Sequence, residues 1–275
     1  MQIAHFWGWN NVARQDWQQV MERFAACGHT EFAMNAELAL QTVFSRNFCN
    51  FLKNITAASG TAFTGMHAPF AFQWDLLCDD PEFAPVSRYV HTHLLEIMPD
   101  EFGIHSYTIH LRNSLFTGTQ QEADELLERN LVPLLKVAER KGVTIAIENG
   151  FQPVDLPETL LHYMEKYASK NFGCCLDVAH AHITACRAGK DVTDHICSLL
   201  PYIIVAHLHD NDGTADQHLV PGTSTGPDWQ VCMPLLTQAP RLQTLQNESD
   251  SSNWSIEDLC TQIDRTLLSF HEKRK

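Results

Sequence analysis

The sequence predicts an α/β protein built as a single (β/α)8 TIM barrel, and three observations predict it. Short apolar segments rich in β-branched and aromatic residues recur eight times, and stretches of helical periodicity separate them. Consecutive strand ends lie 26 to 43 residues apart, room each time for a loop, a crossover helix and the next strand. No linker or composition shift marks a second unit, so residues 1–275 are expected to form one domain. The rival open doubly wound sheet would carry a Gly-rich fingerprint after its first strand, and none is there.

In chain order, Gln2-Ile-Ala-His5 reads as the first strand, and Asp16 to Cys27 as a helix with Trp17, Val20, Met21 and Phe24 on one stripe. A strand ending near Glu31 precedes a weaker helix from Phe44 to Ser59. The third strand ends at His67, followed by a helix from Pro85 to Met98, and Tyr107-Thr-Ile-His110 is the fourth. The helix Gln120 to Lys141 stops at Lys141-Gly142, a sequence that ends helices, and Val143-Thr-Ile-Ala-Ile-Glu148 follows as the fifth strand. Then come a helix Leu156 to Lys170, the strand ending at Asp177, a helix Val192 to Leu200, the strand Ile203-Ile-Val-Ala-His207, a helix Asp228 to Gln238, and Leu245-Gln-Asn-Glu248. Ser255 to Glu272 closes the chain, opening on the capping pattern Ser255-Ile-Glu-Asp258.

Composition narrows the class of function. Apolar residues make up 44% and charged residues 19%, which suits a chain with a buried core. A net charge of −14 repels polyanions, so nucleic acid is a disfavoured partner. No apolar run has the length of a membrane span and the start lacks a signal-peptide pattern, so the expectation is a cytoplasmic protein with no membrane partner; a homo-oligomer is left open. Nine cysteines without a Cys-x-x-Cys pair fit free, mostly buried thiols. Fifteen histidines direct the search to metal ligands.

Polar or ionisable residues end nearly every predicted strand. In a (β/α)8 barrel those carboxyl ends share one mouth, where active sites are built. His67, His110, Glu148, Asp177, His207 and Glu248 would therefore converge, joined by His180 three residues after Asp177 and by the loop pair Asp216-Gln-His218. A mixed imidazole and carboxylate set suits Zn2+, Mn2+, Fe2+ or Co2+ better than Ca2+ or Mg2+. Glu148 stands out because it ends a run of apolar and β-branched residues, and a buried carboxylate needs a partner. His209 could simply hold its loop, and no role is expected for the remaining histidines, His5 and His29 among them.

Three segments carry a family resemblance: Cys175-Leu-Asp-Val-Ala-His180, Ala206-His-Leu-His-Asp-Asn-Asp-Gly213, and Asp216-Gln-His-Leu-Val-Pro-Gly222 with Gly226-Pro-Asp-Trp229 behind it. They resemble the xylose isomerase-like barrel superfamily, which holds sugar and sugar-phosphate isomerases and epimerases together with the endonuclease IV phosphodiesterases. The tagatose epimerase-like members imply one Mn2+ or similar ion on Glu148, Asp177, His207 and Glu248, with the two glutamates doubling as acid and base and His180 touching substrate. The endonuclease IV-like members imply three zinc ions: one on His67, His110 and Glu148, a second on Glu148, Asp177, His207 and Glu248, and a third on His180, Asp216 and His218. The resemblance thus implies one to three divalent ions.

The segments also depart from the endonuclease pattern, with Asp210-Asn-Asp-Gly where an Asp-Ser-Lys segment is usual and Gln217 where an arginine is usual. The loops 68–85, 149–157, 208–228 and 249–255 contain no Lys or Arg, whereas a protein gripping several phosphates needs cations there. The expectation is a metal-dependent isomerase or epimerase of a small sugar, keto-sugar or sugar phosphate, with a multinuclear zinc phosphoesterase and a non-catalytic sugar- or metal-binding barrel as rivals. Glu148 and Glu248 would move the proton, Arg112 would meet an anionic substituent, and Trp7, Trp9 and Trp74 are candidates to stack on a sugar face.

Overall fold

A computed structural model describes residues 3–7, 12–70, 74–111 and 116–268. Eight parallel strands close into a barrel in sequence order. They are β1 (Ile3–Trp7), β2 (Glu31–Met34), β3 (Ala62–His67), β4 (Ser106–Ile109), β5 (Thr144–Glu148), β6 (Phe172–Asp177), β7 (Ile203–Leu208) and β8 (Thr244–Asn247). Pairing of β1 with β8, Ile3 opposite Leu245 and His5 opposite Asn247, completes the ring. Strands β5, β6 and β7 are buried along their whole length, which explains why they read in the sequence as continuous apolar runs rather than as alternating ones.

Around the barrel lie α1 (Trp17–Ala26), α2 (Ala36–Phe44), α3 (Arg46–Ser59), α4 (Phe83–Phe102), α5 (Gln120–Lys141), α6 (Pro157–Lys166), α7 (Val178–Ala188), α8 (Val192–Leu199), α9 (Trp229–Leu236) and α10 (Ile256–Ile263). Helix α5 has the bounds its sequence predicts. A reciprocal capping box between Thr119 and Glu122 starts it, and Gly142, at φ 70°, takes the left-handed conformation that ends it. The main core lies between strands and helices, where Phe24, Phe32, Phe63, Tyr107 and Phe172 are fully or almost fully buried.

The structure corrects several boundaries. Glu31 begins β2 instead of ending it, which puts Glu31 at the opposite end of the barrel from the mouth and leaves Asn35 to Glu37 to follow the strand. Helices α2 and α7 were not expected. Both open on a side chain that accepts a backbone N–H, Asn35 from Leu38 and Asp177 from His180, so short polar segments after strands act as helix starts. The closing helix stops at Ile263 and continues as a π-helical turn, Asp264–Leu268; the remainder of its expected span lies outside the described residues.

Candidate metal centre

Strand alternation assembles the site. Asp177 and His207 are paired neighbours on β6 and β7, and the Glu248 N–H bonds the Leu208 carbonyl just past β8. Glu148, at the end of β5, is tied in through Asn149, whose side chain accepts from the Asp177 N–H at 2.7 Å and donates to the Asp177 carbonyl at 3.0 Å. On the same interior face, two residues before Glu248, Gln246 accepts from His207 Nε2 at 3.1 Å. Gly65 makes room for it, since a Cβ there would stand 2.7 Å from the Gln246 amide and from Ser106 Oγ.

All nine sequence-derived candidates for metal binding meet at this mouth, in three groups of which the first two share Glu148: His67, His110 and Glu148; Glu148, Asp177, His207 and Glu248; and His180, Asp216 and His218 with His209. Within each group the potential ligand atoms lie within 4.8 Å of one another. Four imidazoles share one arrangement. His67, His180 and His218 donate Nδ1–H to the carbonyls of Ala68, Asn149 and Glu248 at 2.9, 3.0 and 3.0 Å, and His207 donates Nε2–H to Gln246. Each second nitrogen then faces a carboxylate: His67 Nε2 to Glu148 at 3.1 Å, His180 Nε2 and His218 Nε2 to Asp216 at 3.1 and 3.2 Å, and His207 Nδ1 to Glu248 at 2.9 Å.

A lone pair facing a carboxylate is stable only with a proton or a cation between them. His207 Nδ1, fully buried among Glu148, Asp177 and Glu248, is close to Glu248 yet too bent toward it for a hydrogen bond, as expected of two donors directed at a third point. The residues fit a divalent ion on this ground, with carbonyl-anchored imidazoles as the usual support of metal ligands.

Electrostatics agree. Burial by itself would raise the pKa of Glu148, but His110, His207 and His67 outweigh it and hold the carboxyl well below its ordinary range. Burial likewise opposes ionisation of Asp177 and Glu248, yet His180 and His209 bring the first to about 2 and His207 lowers the second. On the imidazole side, burial disfavours the charged form of His180, but Asp177, Asp216 and Glu148 raise it to about 10; His218 rises to about 9 beside Asp216 and Glu248. His110 goes the other way, to about 4, because burial exceeds the pull of Glu148. The mouth therefore holds four carboxylates that draw in positive charge, and an ion binding there would release protons.

Above these groups opens a cavity of about 700 Å3. Phe6, Phe70, Trp74 and Phe151 form its aromatic wall, Asn35, Gln152 and Asp155 are among its polar groups, and no Lys or Arg lines it among the described residues. Outside the cavity, Arg46 pairs with Glu101, Lys190 pairs with Glu158, and Arg187 lies over the Phe151 ring at 5.5 Å.

Trp74 is on the cavity wall, where a stacking role needs it. Trp7 is not. β1 runs two residues beyond His5, and strand alternation turns Trp7 outward, 2% exposed and edge-on to Phe32 and Trp17, while Phe6 takes the inward place. Trp7 is thus a core residue and its expected substrate contact is withdrawn. Trp9 and Arg112 lie outside the described residues.

The sequence left His209 with no more than a loop-holding part and offered no reading of Asn149, Gln246 or Asp155. His209 is fully buried, donates to Asp177 at 2.9 Å and stacks on His218 with ring centroids 4.0 Å apart. The two-residue spacings His207-x-His209 and Gln246-x-Glu248 were the available signals. His218 itself sits at φ 48°, a left-handed conformation uncommon outside glycine and a form of local strain that collects at functional sites.

A closed (β/α)8 barrel with imidazoles and carboxylates crowded at the C-terminal mouth defines a class of proteins whose chemistry is built at the strand ends. Residues 49–240 match the xylose isomerase-like TIM barrel family, and the chain belongs to it. Among solved structures it is similar to a D-tagatose 3-epimerase-like protein, with 19% identity, full coverage of both chains and a TM-score of 0.75. It is also similar to the IolI protein with a bound zinc atom, at 15% identity, 99% coverage of both chains and a TM-score of 0.77. The TTHB071 protein from Thermus thermophilus, soaked with zinc chloride, is 22% identical with a TM-score of 0.68 over 95% of this chain and 99% of its own. At such identities the likeness is one of fold. The uncharacterized protein MJ1311 of Methanocaldococcus jannaschii is 33% identical over 102 residues, a match spanning 34% of either chain.

Proposed function

We propose that this protein is a divalent-metal-dependent isomerase or epimerase of a small uncharged sugar or keto-sugar. The observation that carries the reading is the cluster Glu148, Asp177, His207 and Glu248 at the floor of an aromatic cavity that no Lys or Arg lines among the described residues. These four would hold the ion, Zn2+ or Mn2+ by the donor set. When bound, the ion supplies Lewis-acid polarisation of neighbouring carbonyl and hydroxyl oxygens of the substrate. Glu148 and Glu248 both reach the cavity, so one carboxylate takes the proton from the carbon beside the carbonyl and the other returns it. His180, held by the Asn149 carbonyl, orients a substrate oxygen, and Trp74 offers a face for the apolar side of the ring. A wall with no Lys or Arg among the described residues disfavours a phosphorylated substrate. The likeness to a D-tagatose 3-epimerase-like protein supports the same class of reaction.

A second reading, a multinuclear zinc phosphoesterase, is favoured by the additional groups around His67 and around His180, Asp216 and His218. Metal analysis and proton exchange separate the two. The isomerase reading expects deuterium from heavy water in a recovered ketose, and Glu148→Gln should lower that exchange by at least about 100-fold, the usual worth of a positioned acid or base. About three tightly held zinc ions, together with cleavage of abasic DNA and no exchange, would establish the phosphoesterase instead.

A further inference from the structure

Outside the barrel mouth, a second set of metal-ligating side chains is buried where the first strand meets the last helix. His5 on β1 faces outward between α1 and α10, and His5 Nε2 lies 2.9 Å from Nδ1 of His29, the residue that leads into β2. The sulfur of Cys260, on α10, joins them, all three potential ligand atoms lying within 4.8 Å of one another. His5, His29 and Cys260 are 3%, 6% and 2% exposed. The outer nitrogens are already engaged, His5 Nδ1 with the Asn247 side chain at 3.3 Å and His29 Nε2 with the Asp264 carboxylate at 3.4 Å. A second thiol, Cys27, caps the C-terminal end of α1 and stands near Cys260.

We propose that His5, His29, Cys260 and Cys27 form a structural site for a thiolate-binding divalent ion of the Zn2+ class. Tetrahedral zinc with two nitrogen and two sulfur ligands places its donor atoms roughly 3.3–3.8 Å apart, within sub-ångström adjustment of the spacing between the two rings. A hydrogen bond between those rings uses one nitrogen of each and leaves both thiols outside the interaction, whereas an ion engages all four. Asp264 behind His29 is the kind of outer partner that orients a ligating imidazole, and rotation of the Asn247 amide, which now donates to His5 Nδ1, would let its oxygen accept from His5 in the same way. Burial keeps His5 neutral, with its pKa lowered to about 3, so a lone pair is available without displacing charge. On binding, each thiol would release its proton to solvent, and two thiolates with two neutral imidazoles cancel the charge of the ion, as burial requires. The site would fasten α10 to α1, β1 and the start of β2, joining the two ends of the chain where β1 and β8 close the barrel. Such a link closes a very long loop.

Cobalt substitution tests this on the whole chain. Metal-free protein titrated with Co2+ should develop the near-ultraviolet thiolate-to-cobalt absorption, which oxygen and nitrogen donors do not give. Cys260→Ser should bind one equivalent fewer than the unaltered chain and lack the band, and His29→Gln should weaken it at least tenfold. Cys175→Ser serves as the control, because Cys175 adjoins Glu148 and His207 at the mouth. The band should survive in that variant and in Glu148→Gln, which separates this site from the mouth. Zinc should raise the Tm of Glu148→Gln by about 5 °C or more, and that of the double variant Glu148→Gln, Cys27→Ser by less. The proposal is overturned if Cys260→Ser keeps the full stoichiometry, or if the band disappears in Cys175→Ser. Should Cys260→Ser not fold, Cys27→Ser at its half-buried position carries the same reading: an unchanged band would sink the idea.

Discussion

Asp155 shows how one residue joins the cavity to the stability of the fold. Its carboxylate accepts from the Gln152 N–H at 2.7 Å and lies against Gly150, where a Cβ would stand 2.7 Å from Oδ2. Burial is the largest influence on it, countered by the Gln152 N–H and His180 and reinforced by Glu148, and its pKa is raised from 3.8 to about 7. Between those values the folded chain keeps a proton that the unfolded chain has lost. The stability from this group is therefore complete below 3.8 and fades as pH rises through about 7. Asp155→Asn should remove that slope, gaining on the order of 1–3 kcal/mol relative to the parent between pH 4 and pH 8. Urea midpoints across that range check it, and parallel pH curves for the two proteins would refute it.

At the scale of elements, the strands act as rulers. Asp177 ends β6 and also starts α7, giving one oxygen to the His180 N–H at 2.7 Å and the other to His209 at 2.9 Å. A strand end, a helix cap and a candidate ligand are thereby one residue. Gly173, four residues earlier on β6, has no room for a side chain, because a Cβ would meet the Tyr202 carbonyl oxygen at 2.6 Å and the side chain of Ile204. A backbone carbonyl cannot swing aside, so Gly173→Ala should cost about 1–3 kcal/mol and lower the Tm by several degrees. Thermal unfolding of that variant at parental Tm would show that β6 shifts freely and does not fix the position of Asp177.

For the molecule as a whole, charge and shape limit the partners. The net charge is −14, and the cavity wall carries no Lys or Arg among the described residues. Abasic duplex DNA should therefore bind with a Kd weaker than about 100 µM at physiological salt, below the usual range of non-specific binders. A salt-sensitive micromolar complex in an electrophoretic shift would overturn this expectation and favour the phosphoesterase reading. No helix among the described residues is long and apolar enough to cross a membrane.

The sequence by itself determined the barrel, since eight apolar runs at crossover spacing admit few other topologies, and it brought His67, His110, Glu148, Asp177, His207 and Glu248 to the mouth, while the strand ends read at His5 and Glu31 fell elsewhere. It could not decide the direction of side chains where a strand overran its expected end. β1 runs two residues past His5, which drew Trp7 into the core and left Phe6 on the cavity wall. Nor could it detect His209, Asn149 and Gln246 as partners of the ligands, or bring His5, His29 and Cys260 together across 255 positions of chain. Those juxtapositions depend on strand register and on barrel closure between β1 and β8, interactions between distant segments that leave no periodic trace in the local sequence.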